Sequence, residues 1–350
     1  MDNFFDTPIP EDQVFFNAPQ CRTRRGATRH YLDHTPFTEL QPDVPGEILH
    51  QIFHPFSMGS VTDRQITCQT DGTICKSARV GRSNLGAEKQ NLGLVATETS
   101  VPVPRVRQYF MSDEFEHLVM DSVPGMTLEQ VWPTLSHLER ESVADQVVSL
   151  IHQLRELRST YIKAALLFRK PLRAGLRDTT DLNMERIKPY LPNEPIETYI
   201  NKRSAIMKGQ PTVFTHGDLD WGNILIDNKH VCGLIDLESS GYFPPYWEWI
   251  MVKRLSHKES EGSWFSLLEK RLRTPDWQGL WEVEQLIMAL DEFSHWDLTP
   301  AGREMNQARG WAEVTRILGS GVGEPPEVHY DMEAEHPWWL ITAAHGKLED

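Results

Sequence analysis

The sequence predicts an α+β protein built from a small β-rich N-terminal lobe and a larger, mainly helical C-terminal lobe. Short runs of β-type residues separated by turn residues dominate residues 49–123. Apolar residues recur at helical spacing through much of residues 124–350. With 350 residues, the chain is long enough to bury a substantial core in each lobe.

Residues 1–48 are predicted to form an N-terminal extension without regular secondary structure. They are rich in Pro, Thr and Asp, and they carry a basic cluster at Arg22, Arg24 and Arg25. The first residues lack the basic start and apolar core of a signal peptide. The four cysteines are scattered without a Cys-x-x-Cys pair, which is typical of reduced thiols in a cytoplasmic protein.

A β-hairpin is predicted early in the N-terminal lobe. Ile66–Thr70 and Thr73–Lys76 are rich in β-type residues, and the Asp71-Gly72 dipeptide between them is a strong hairpin signal. Lys76 is therefore expected at the end of the second strand. A single helix, predicted from Gly86 to Glu98, interrupts the strands of this lobe.

The C-terminal lobe begins with a long helical pattern over residues 135–157 and later returns to strands. Three short apolar runs there are typical of strands: Pro211–Phe214, Ile224–Ile226 and Val231–Ile235. The last two are predicted to pair as a hairpin. Because the ends of an antiparallel pair lie side by side, we expect Asn223 and Asp236 to be close together.

Three residues in this region have the spacing that phosphoryl transfer requires. Asp218 is followed by Asn223 five residues later and by Asp236 thirteen residues beyond that. A carboxylate such as Asp218 orients an attacking hydroxyl and accepts its proton, while an amide oxygen and a second carboxylate hold one or two Mg²⁺ ions on nucleotide phosphates. Turn capping would explain Asp218 or Asn223 alone, but not the joint spacing of all three.

The net charge and the apolar pattern argue against two classes of function. A formal charge of −15 disfavours nucleic-acid binding, which needs a basic face. No apolar run approaches the roughly 18–20 residues of a membrane-spanning helix. The acidity fits either attraction for cationic, amine-bearing substrates or simple solubility, and charge alone does not choose between them.

Residues 214–249 include His216-Gly217-Asp218 and Ile235-Asp236-Leu237-Glu238, and they closely resemble the aminoglycoside phosphotransferase and choline-kinase-like family, in particular its fungal branch. The resemblance extends from about residue 70 to residue 250. It implies a protein-kinase-like two-lobed fold. It also implies transfer of the γ-phosphoryl group of ATP or GTP to a hydroxyl of a small-molecule acceptor, such as an amine-bearing metabolite or antibiotic.

A nucleotide site in the first lobe is implied as well. Lys76 is expected to contact the nucleotide phosphates and Glu88 to hold Lys76 in place, with Arg79 and Arg82 as rival cations. The segment Pro55–Val61 is expected to cover the phosphates although it contains one glycine. Phosphate contacts are assigned to Ser57, Gly59 and Ser60, and adenine contacts to the backbone of Met120, Asp121, Ser122 and Val123.

Residues next to the motif receive supporting roles. His216 is expected to be structural, bonding backbone near Asp236, rather than a general base. Glu238 lies two residues after Asp236, so on a strand it would point the same way and contact a second Mg²⁺ or a substrate amine. A surface salt bridge is the alternative for Glu238. Asp220 is expected to cap the loop.

The acceptor site is the least defined part of the prediction. Ten of the eleven tryptophans follow residue 220, and they either line a pocket for a flat or cationic substrate or form helix cores. Asp291, Glu292 and the acidic run Asp331–Glu335 are candidate amine ligands, with a solvated face as the alternative. The sequence names neither the acceptor nor the oligomeric state.

Two other functions stay open at this point. The poor glycine segment suggests a pseudokinase or nucleotide-binding regulatory module without turnover, but the intact Asp218, Asn223 and Asp236 speak against it. A protein kinase would share the spacing of those residues, yet the chain lacks the Asp-Phe-Gly and Ala-Pro-Glu signatures. We therefore expect a small-molecule kinase.

Overall fold

The computed structural model describes residues 45–53, 62–80, 84–112, 115–164, 166–167, 170–172, 175–190, 192–256, 263–294 and 300–326. The chain forms two compact units. The first unit consists of three segments: the chain up to Ser159, then Lys163–Leu172, then Val213–Leu272. The second unit consists of Thr160–Ile162, Arg173–Thr212 and the chain from Arg273 onward. The predicted lobes, residues 49–123 and 124–350, divide the chain differently and stay a prediction.

Five strands of the first unit form one antiparallel sheet. They are β1 (Glu47–Phe53), β2 (Thr62–Cys68), β3 (Thr73–Arg79), β4 (Val106–Met111) and β5 (Phe115–Asp121). Their order in the sheet is β1-β2-β3-β5-β4. The predicted hairpin joins β2 to β3, with Gly72 at φ +81° and the Thr73 N–H donating to the Asp71 carboxylate at 2.9 Å.

Lys76 lies in the middle of β3, so the prediction that it ends the strand was wrong. β3 continues to Arg79 because β5 supplies a complete partner, with Lys76 opposite Leu118 and Arg79 opposite Phe115. Pairing with a strand some 40 residues away leaves no local signal in the sequence. Its consequence is that Lys76 is buried in a regular element.

Helix α1 (Leu85–Glu98) begins one residue before the predicted start. Asn84 is its N-cap, and the Asn84 side chain accepts a hydrogen bond from the Ala87 N–H at 2.8 Å. The helix packs on β4 and β5 and buries Glu88 in its first turn. A carboxylate thus reaches the sheet from a helix whose start is fixed by its cap.

The chain then continues through β6 (Met126–Thr127), α2 (Leu128–Val131), α3 (His137–Leu154), β7 (Arg158–Ser159), β8 (Lys163–Ala164), β9 (Leu166–Leu167), β10 (Lys170–Pro171), α4 (Thr179–Ile187), α5 (Glu194–Ser204), β11 (Thr212–Thr215), β12 (Ile224–Asp227), β13 (His230–Leu234), β14 (Gly241–Phe243), α6 (Trp247–Ser256), α7 (Trp264–Leu272), α8 (Gln278–Phe293) and α9 (Pro300–Leu318). Helix α3 is shorter than predicted because a capping box between Ser136 and Glu139 starts it and Arg155 ends it.

The predicted second hairpin is present as β12 and β13, and β6 pairs with the other edge of β12. Asp227 pairs with His230, so the turn contains two residues, Asn228 and Lys229. Both have positive φ, 47° and 69°, as the right-handed twist of a two-residue hairpin requires. Asn223 comes just before β12, and Ile235 and Asp236 come just after β13.

The second unit is helical and has a core of its own. Isoleucines of α4 and α5 pack against apolar residues of α8 and α9, with Phe293 against Trp311 at 5.2 Å between ring centroids. Helices α8 and α9 cross at Gly310, where an added Cβ would lie 2.3 Å from the Phe293 backbone nitrogen. None of the described helices has both the length and the apolar character to span a membrane.

Candidate active site

The loop after β11 is held by His216, which is fully buried. Its Nδ1 accepts a hydrogen bond from the Asp218 N–H at 3.3 Å, so its Nε2 carries the proton and donates to the Ile235 carbonyl at 3.1 Å. Burial lowers the pKa of His216, against the opposing effect of Asp218 and Asp236. A neutral imidazole therefore links the two segments that carry these carboxylates, as the structural interpretation expects.

Asp218 and Asn223 are neighbours across the same loop. The Asn223 side-chain nitrogen donates to the Asp218 carbonyl at 2.9 Å and to the Asp218 carboxylate at 3.3 Å. Asp220 caps the intervening 3₁₀ turn, as predicted, by accepting from the Gly222 N–H at 3.0 Å. The loop thus directs the Asn223 amide nitrogen to Asp218.

Asp236 lies next to Asn223, as the hairpin prediction requires. The Ile235 N–H donates to the Asn223 carbonyl at 3.0 Å. Asp236 itself has a left-handed backbone, φ 65° and ψ 59°, which is uncommon for a residue with a side chain. Such conformations concentrate at functional sites because surrounding contacts must maintain them.

Lys76 connects the five-stranded sheet with this loop. Its Nζ lies 2.6 Å from Glu88 Oε1 and 3.0 Å from Asp236 Oδ1, and all three groups are buried. Burial lowers the pKa of Lys76, but the two carboxylates outweigh it and raise the pKa overall. Burial also raises the pKa of Glu88, an effect that Lys76 opposes. The structure thus brings the predicted phosphate-binding lysine to the predicted metal-binding carboxylate.

The donor set suits magnesium. Mg²⁺ is usually held by one or two carboxylates together with phosphate and water oxygens rather than by an all-protein cage. Asp236 and the amide oxygen of Asn223 provide such a partial set. Among the residues that the structure describes, no group of three or more His, Cys, Asp or Glu side chains forms a metal cage.

Glu238 is not placed as the sequence suggested. Leu237–Ser239 is a 3₁₀ helix after the left-handed Asp236, so Glu238 does not continue a strand. Its carboxylate forms an ion pair with Arg64 of β2 and accepts from the Asn84 N–H at 3.2 Å. Burial raises the pKa of Glu238, but Arg64 outweighs it and holds the pKa below its usual value.

Glu248 is a functional candidate that the sequence analysis missed. From the first turn of α6 it accepts the His216 N–H at 2.8 Å and the Gly217 N–H at 3.1 Å, so it holds the backbone just before Asp218. Burial raises the pKa of Glu248 to about 7. Its position between Trp247 and Trp249 was the available signal, because a carboxylate in an apolar helix start is costly unless it has partners.

Asn91 and Trp264 also support the loops and were missed. Asn91 of α1 donates to the Leu237 carbonyl at 2.9 Å and to the Ser240 carbonyl at 3.1 Å. The Trp264 indole of α7 donates to the Leu219 carbonyl at 3.1 Å. Both fix backbone carbonyls beside the predicted catalytic residues, a role that only the folded chain reveals.

The remaining predicted site residues either lie outside the described residues or make contacts of their own. Ser57, Gly59 and Ser60 lie outside the described residues, as does Arg82. Arg79 places its guanidinium 5.8 Å from the centre of the Phe115 ring. Met120 is buried at the end of β5, Asp121 forms an ion pair with Arg107, Ser122 is exposed and Val123 is half-buried.

Seven of the ten tryptophans after residue 220 are among the residues that the structure describes, and most of these seven belong to cores. Five of them are buried: Trp247, Trp249, Trp264, Trp281 and Trp311. Asp291 accepts from the Tyr190 hydroxyl at 2.8 Å, and Glu292 forms an ion pair with Arg309 at 2.6 Å. Trp296 and Asp331–Glu335 lie outside the described residues. These contacts favour the packing alternative for the five tryptophans.

Comparison with known proteins identifies the family and the fold. The model of the phosphotransferase enzyme family matches residues 56–282. A mutant of aminoglycoside phosphotransferase APH(4)-Ia in complex with ADP and hygromycin B is similar, with TM-score 0.51 at 14% identity over 78% of this chain and 95% of that chain. Another mutant of it, with AMP-PNP and hygromycin B, has TM-score 0.50 at 13% identity over 78% and 96%. The predicted α+β, protein-kinase-like fold is confirmed.

Proposed function

The chain belongs to the phosphotransferase enzyme family, and from this premise we propose that it transfers the γ-phosphoryl group of ATP, or of GTP, to a hydroxyl of a small molecule. One observation carries the proposal. Lys76 Nζ lies 3.0 Å from Asp236 Oδ1, so a cation suited to nucleotide phosphates meets the carboxylate suited to their metal ion.

Each residue of the site has a distinct task in this reaction. Asp218 orients the acceptor hydroxyl and takes its proton as the hydroxyl oxygen attacks the γ-phosphorus. The bond from that phosphorus to the β,γ-bridging oxygen breaks, and the nucleoside diphosphate leaves. Lys76, held by Glu88, contacts the nucleotide phosphates, and His216 and Glu248 keep the loop of Asp218 in position. Orientation and charge neutralisation therefore carry the catalysis.

Asn223 and Asp236 are proposed to hold one or two Mg²⁺ ions, which neutralise charge on the phosphates when bound. The support is their side-by-side position, joined by the bond from the Ile235 N–H to the Asn223 carbonyl at 3.0 Å. Ser57, Gly59 and Ser60, together with the backbone of residues 120–123, are proposed to complete the nucleotide site.

The acceptor is proposed to be a hydroxyl-bearing small molecule with amino groups. The similar APH(4)-Ia structures contain hygromycin B, and the net charge of −15 is compatible with a cationic substrate. We further propose a cytoplasmic enzyme, because the cysteines are scattered and the described Cys68, Cys75 and Cys232 are free thiols.

The test is a calorimetric titration of Mg²⁺-ATP and Mg²⁺-GTP, followed by measurement of ADP or GDP release with a panel of acceptors. The panel contrasts hydroxylated amines, including hygromycin B and choline, with neutral sugars. We expect micromolar to sub-millimolar nucleotide binding and release that depends on an amine-bearing acceptor. Binding without release for any acceptor would indicate a nucleotide-binding module instead.

A further inference from the structure

Arg64 shares a face of the five-stranded sheet with Lys76. In the register of β2 and β3, Ile66 is opposite Lys76 and Arg64 is opposite Ala78. Directly paired residues of an antiparallel sheet project to the same face, and alternate residues of one strand do so as well. The side chains of Arg64 and Lys76 therefore emerge from neighbouring strands on the same side.

These two cations meet the same short loop. Lys76 contacts Asp236, and Arg64 contacts Glu238, the residue next but one in the chain. The side chains of Arg64 and Glu238 are only 13% and 12% exposed, so this is an ion pair formed largely away from water. Holding two such charges out of solvent is costly unless both are well paired, so each of the two side chains depends on the other.

Glu238 forms an ion pair with Arg64, just as Glu88 forms one with Lys76. Each carboxylate binds one cation of the sheet, and Glu238 also accepts the N–H of Asn84, the N-cap of the helix that carries Glu88. One carboxylate thus fixes both Arg64 and the start of α1.

We propose that Arg64 is a second phosphate-binding cation of the nucleotide site, and that Glu238 is the residue that positions it. This inference rests on the proposed function, because it places the phosphates at Lys76. A guanidinium matches phosphate geometry better than an ammonium does. The sequence of residues 55–61 contains one glycine and not a glycine-rich motif, and a second cation supplies additional charge for the phosphates.

Both oxygens of Glu238 are already engaged, Oε1 by the Asn84 N–H and Oε2 by Arg64. This arrangement favours a positioning role over the metal or amine contact considered from the sequence. The two interpretations differ in a measurable way, because a metal ligand acts on Mg²⁺ affinity whether or not Arg64 is present.

The primary experiment compares Arg64→Met with Arg79→Met in calorimetric titrations of Mg²⁺-ATP, Mg²⁺-ADP and adenosine. Arg79 is the matched control, since it lies on the same sheet but on the opposite face. We expect Arg64→Met to weaken ATP and ADP binding on the order of 10- to 100-fold without weakening adenosine. Arg64→Lys should be intermediate, and Arg79→Met should stay within about twofold of wild type.

Several outcomes would overturn the inference. Wild-type affinity for ATP in Arg64→Met would do so, and so would a parallel loss of adenosine and ATP, which indicates general damage to the lobe. Thermal unfolding of each variant monitors folding, and Arg64→Lys keeps the test informative if Arg64→Met is unstable. A wild-type protein that binds no nucleotide would instead refute the proposed function itself.

A double-mutant cycle tests the role of Glu238. If Glu238 acts by positioning Arg64, Glu238→Gln should weaken ATP binding in the wild-type background but add almost nothing to Arg64→Met. Loss of Mg²⁺ affinity on adding Glu238→Gln to Arg64→Met would show that Glu238 binds the metal, and the positioning assignment would then fall.

Discussion

At the scale of single residues, Asp236 combines several constraints. Its backbone is left-handed, and its carboxylate forms an ion pair with Lys76. The preceding residue, Ile235, donates a hydrogen bond to the Asn223 carbonyl. An aspartate on the protein surface does not require this combination of backbone conformation and contacts. The strained conformation is maintained because both backbone groups of the preceding residue, Ile235, are bonded. The Ile235 carbonyl accepts a hydrogen bond from His216, and the Ile235 N–H donates to the Asn223 carbonyl.

Replacing Asp236 with Ala should abolish turnover, with a fall of at least about 10³-fold, because the metal and Lys76 both lose their carboxylate. Affinity for Mg²⁺-nucleotide should fall as well. Asp227→Ala is the matched control, since Asp227 is an exposed carboxylate of the same hairpin. Steady-state kinetics and calorimetry check the result. Near-normal activity of Asp236→Ala would refute the metal assignment.

Asp218→Asn should separate chemistry from binding. The amide cannot accept the proton of the acceptor hydroxyl, so turnover should fall about 10²- to 10⁴-fold. Nucleotide affinity should stay within about twofold, since Asp218 is assigned to the acceptor. Single-turnover kinetics and nucleotide titration measure the two effects. An equal loss of both would mean that Asp218 acts in nucleotide binding.

Residue identity was predictable from the sequence where spacing along the chain carried the information. Asp218, Asn223 and Asp236 were proposed as a set because their five- and thirteen-residue separations are visible in one segment. Glu248 and Asn91 were not found because their partners are backbone groups, and a backbone group has no signature in the sequence. Glu238 was predicted to lie on a strand because no feature of the neighbouring sequence indicates the left-handed backbone at Asp236.

At the scale of elements, α1 acts as a clamp on the loop after Asp236. The Asn91 side chain donates to the carbonyls of Leu237 and Ser240, at 2.9 and 3.1 Å. The same helix contributes Glu88 to Lys76. The position of α1 is therefore coupled to the geometry of the predicted metal site.

Asn91→Ala should disturb catalysis more than folding. Two carbonyls lose a side-chain donor, which we expect to reduce stability by about 1–2 kcal/mol and kcat by roughly tenfold. Gln90→Ala, at the exposed neighbouring position, is the control. Kinetics and urea unfolding of both variants provide the comparison. A loss of stability without any change in kcat would show that the clamp has no catalytic consequence.

The crossing of α8 and α9 depends on Gly310. An added Cβ would lie 2.3 Å from the Phe293 nitrogen and 2.6 Å from the Ala289 carbonyl oxygen, so Gly310→Ala should destabilise the second unit by about 1–3 kcal/mol or more. Gly93→Ala is the converse control, because nothing lies within 4 Å of its Cβ position. There we expect a gain of about 0.5–1 kcal/mol. Equal thermal shifts in the two variants would contradict the packing argument.

At the scale of the whole molecule, buried carboxylates make stability depend on pH. Burial raises the pKa of Glu248 from its ordinary 4.5 to about 7. The folded protein therefore holds this proton more tightly than the unfolded chain does. The stabilisation is complete below pH 4.5 or so, and it is lost as the pH rises through about 7.

Glu248→Gln should remove this contribution to the pH dependence. Between about pH 5 and pH 8 the free energy of unfolding of the wild type should fall relative to the variant, by up to about 3 kcal/mol. Urea unfolding at intervals across this range measures the difference. Only the change of this difference with pH reports the titration of Glu248. Glu248→Gln also alters the contacts with the His216 and Gly217 N–H groups, but that effect is present at every pH. Parallel curves would mean that Glu248 is not protonated in this range.

The sequence by itself predicted the α+β fold class from its periodicity, suggested Asp218, Asn223 and Asp236 as a reacting set from their short spacings, and resembled the phosphotransferase family in its motifs. It also identified Lys76 and Glu88, which the structure brings within 2.6 Å. The tertiary structure decided that Lys76 lies within a strand, that Glu238 meets Arg64 and that Glu248 holds the loop before Asp218. Those facts arise from strand register, a left-handed turn and backbone hydrogen bonds between distant segments, and such interactions exist only once the chain has folded.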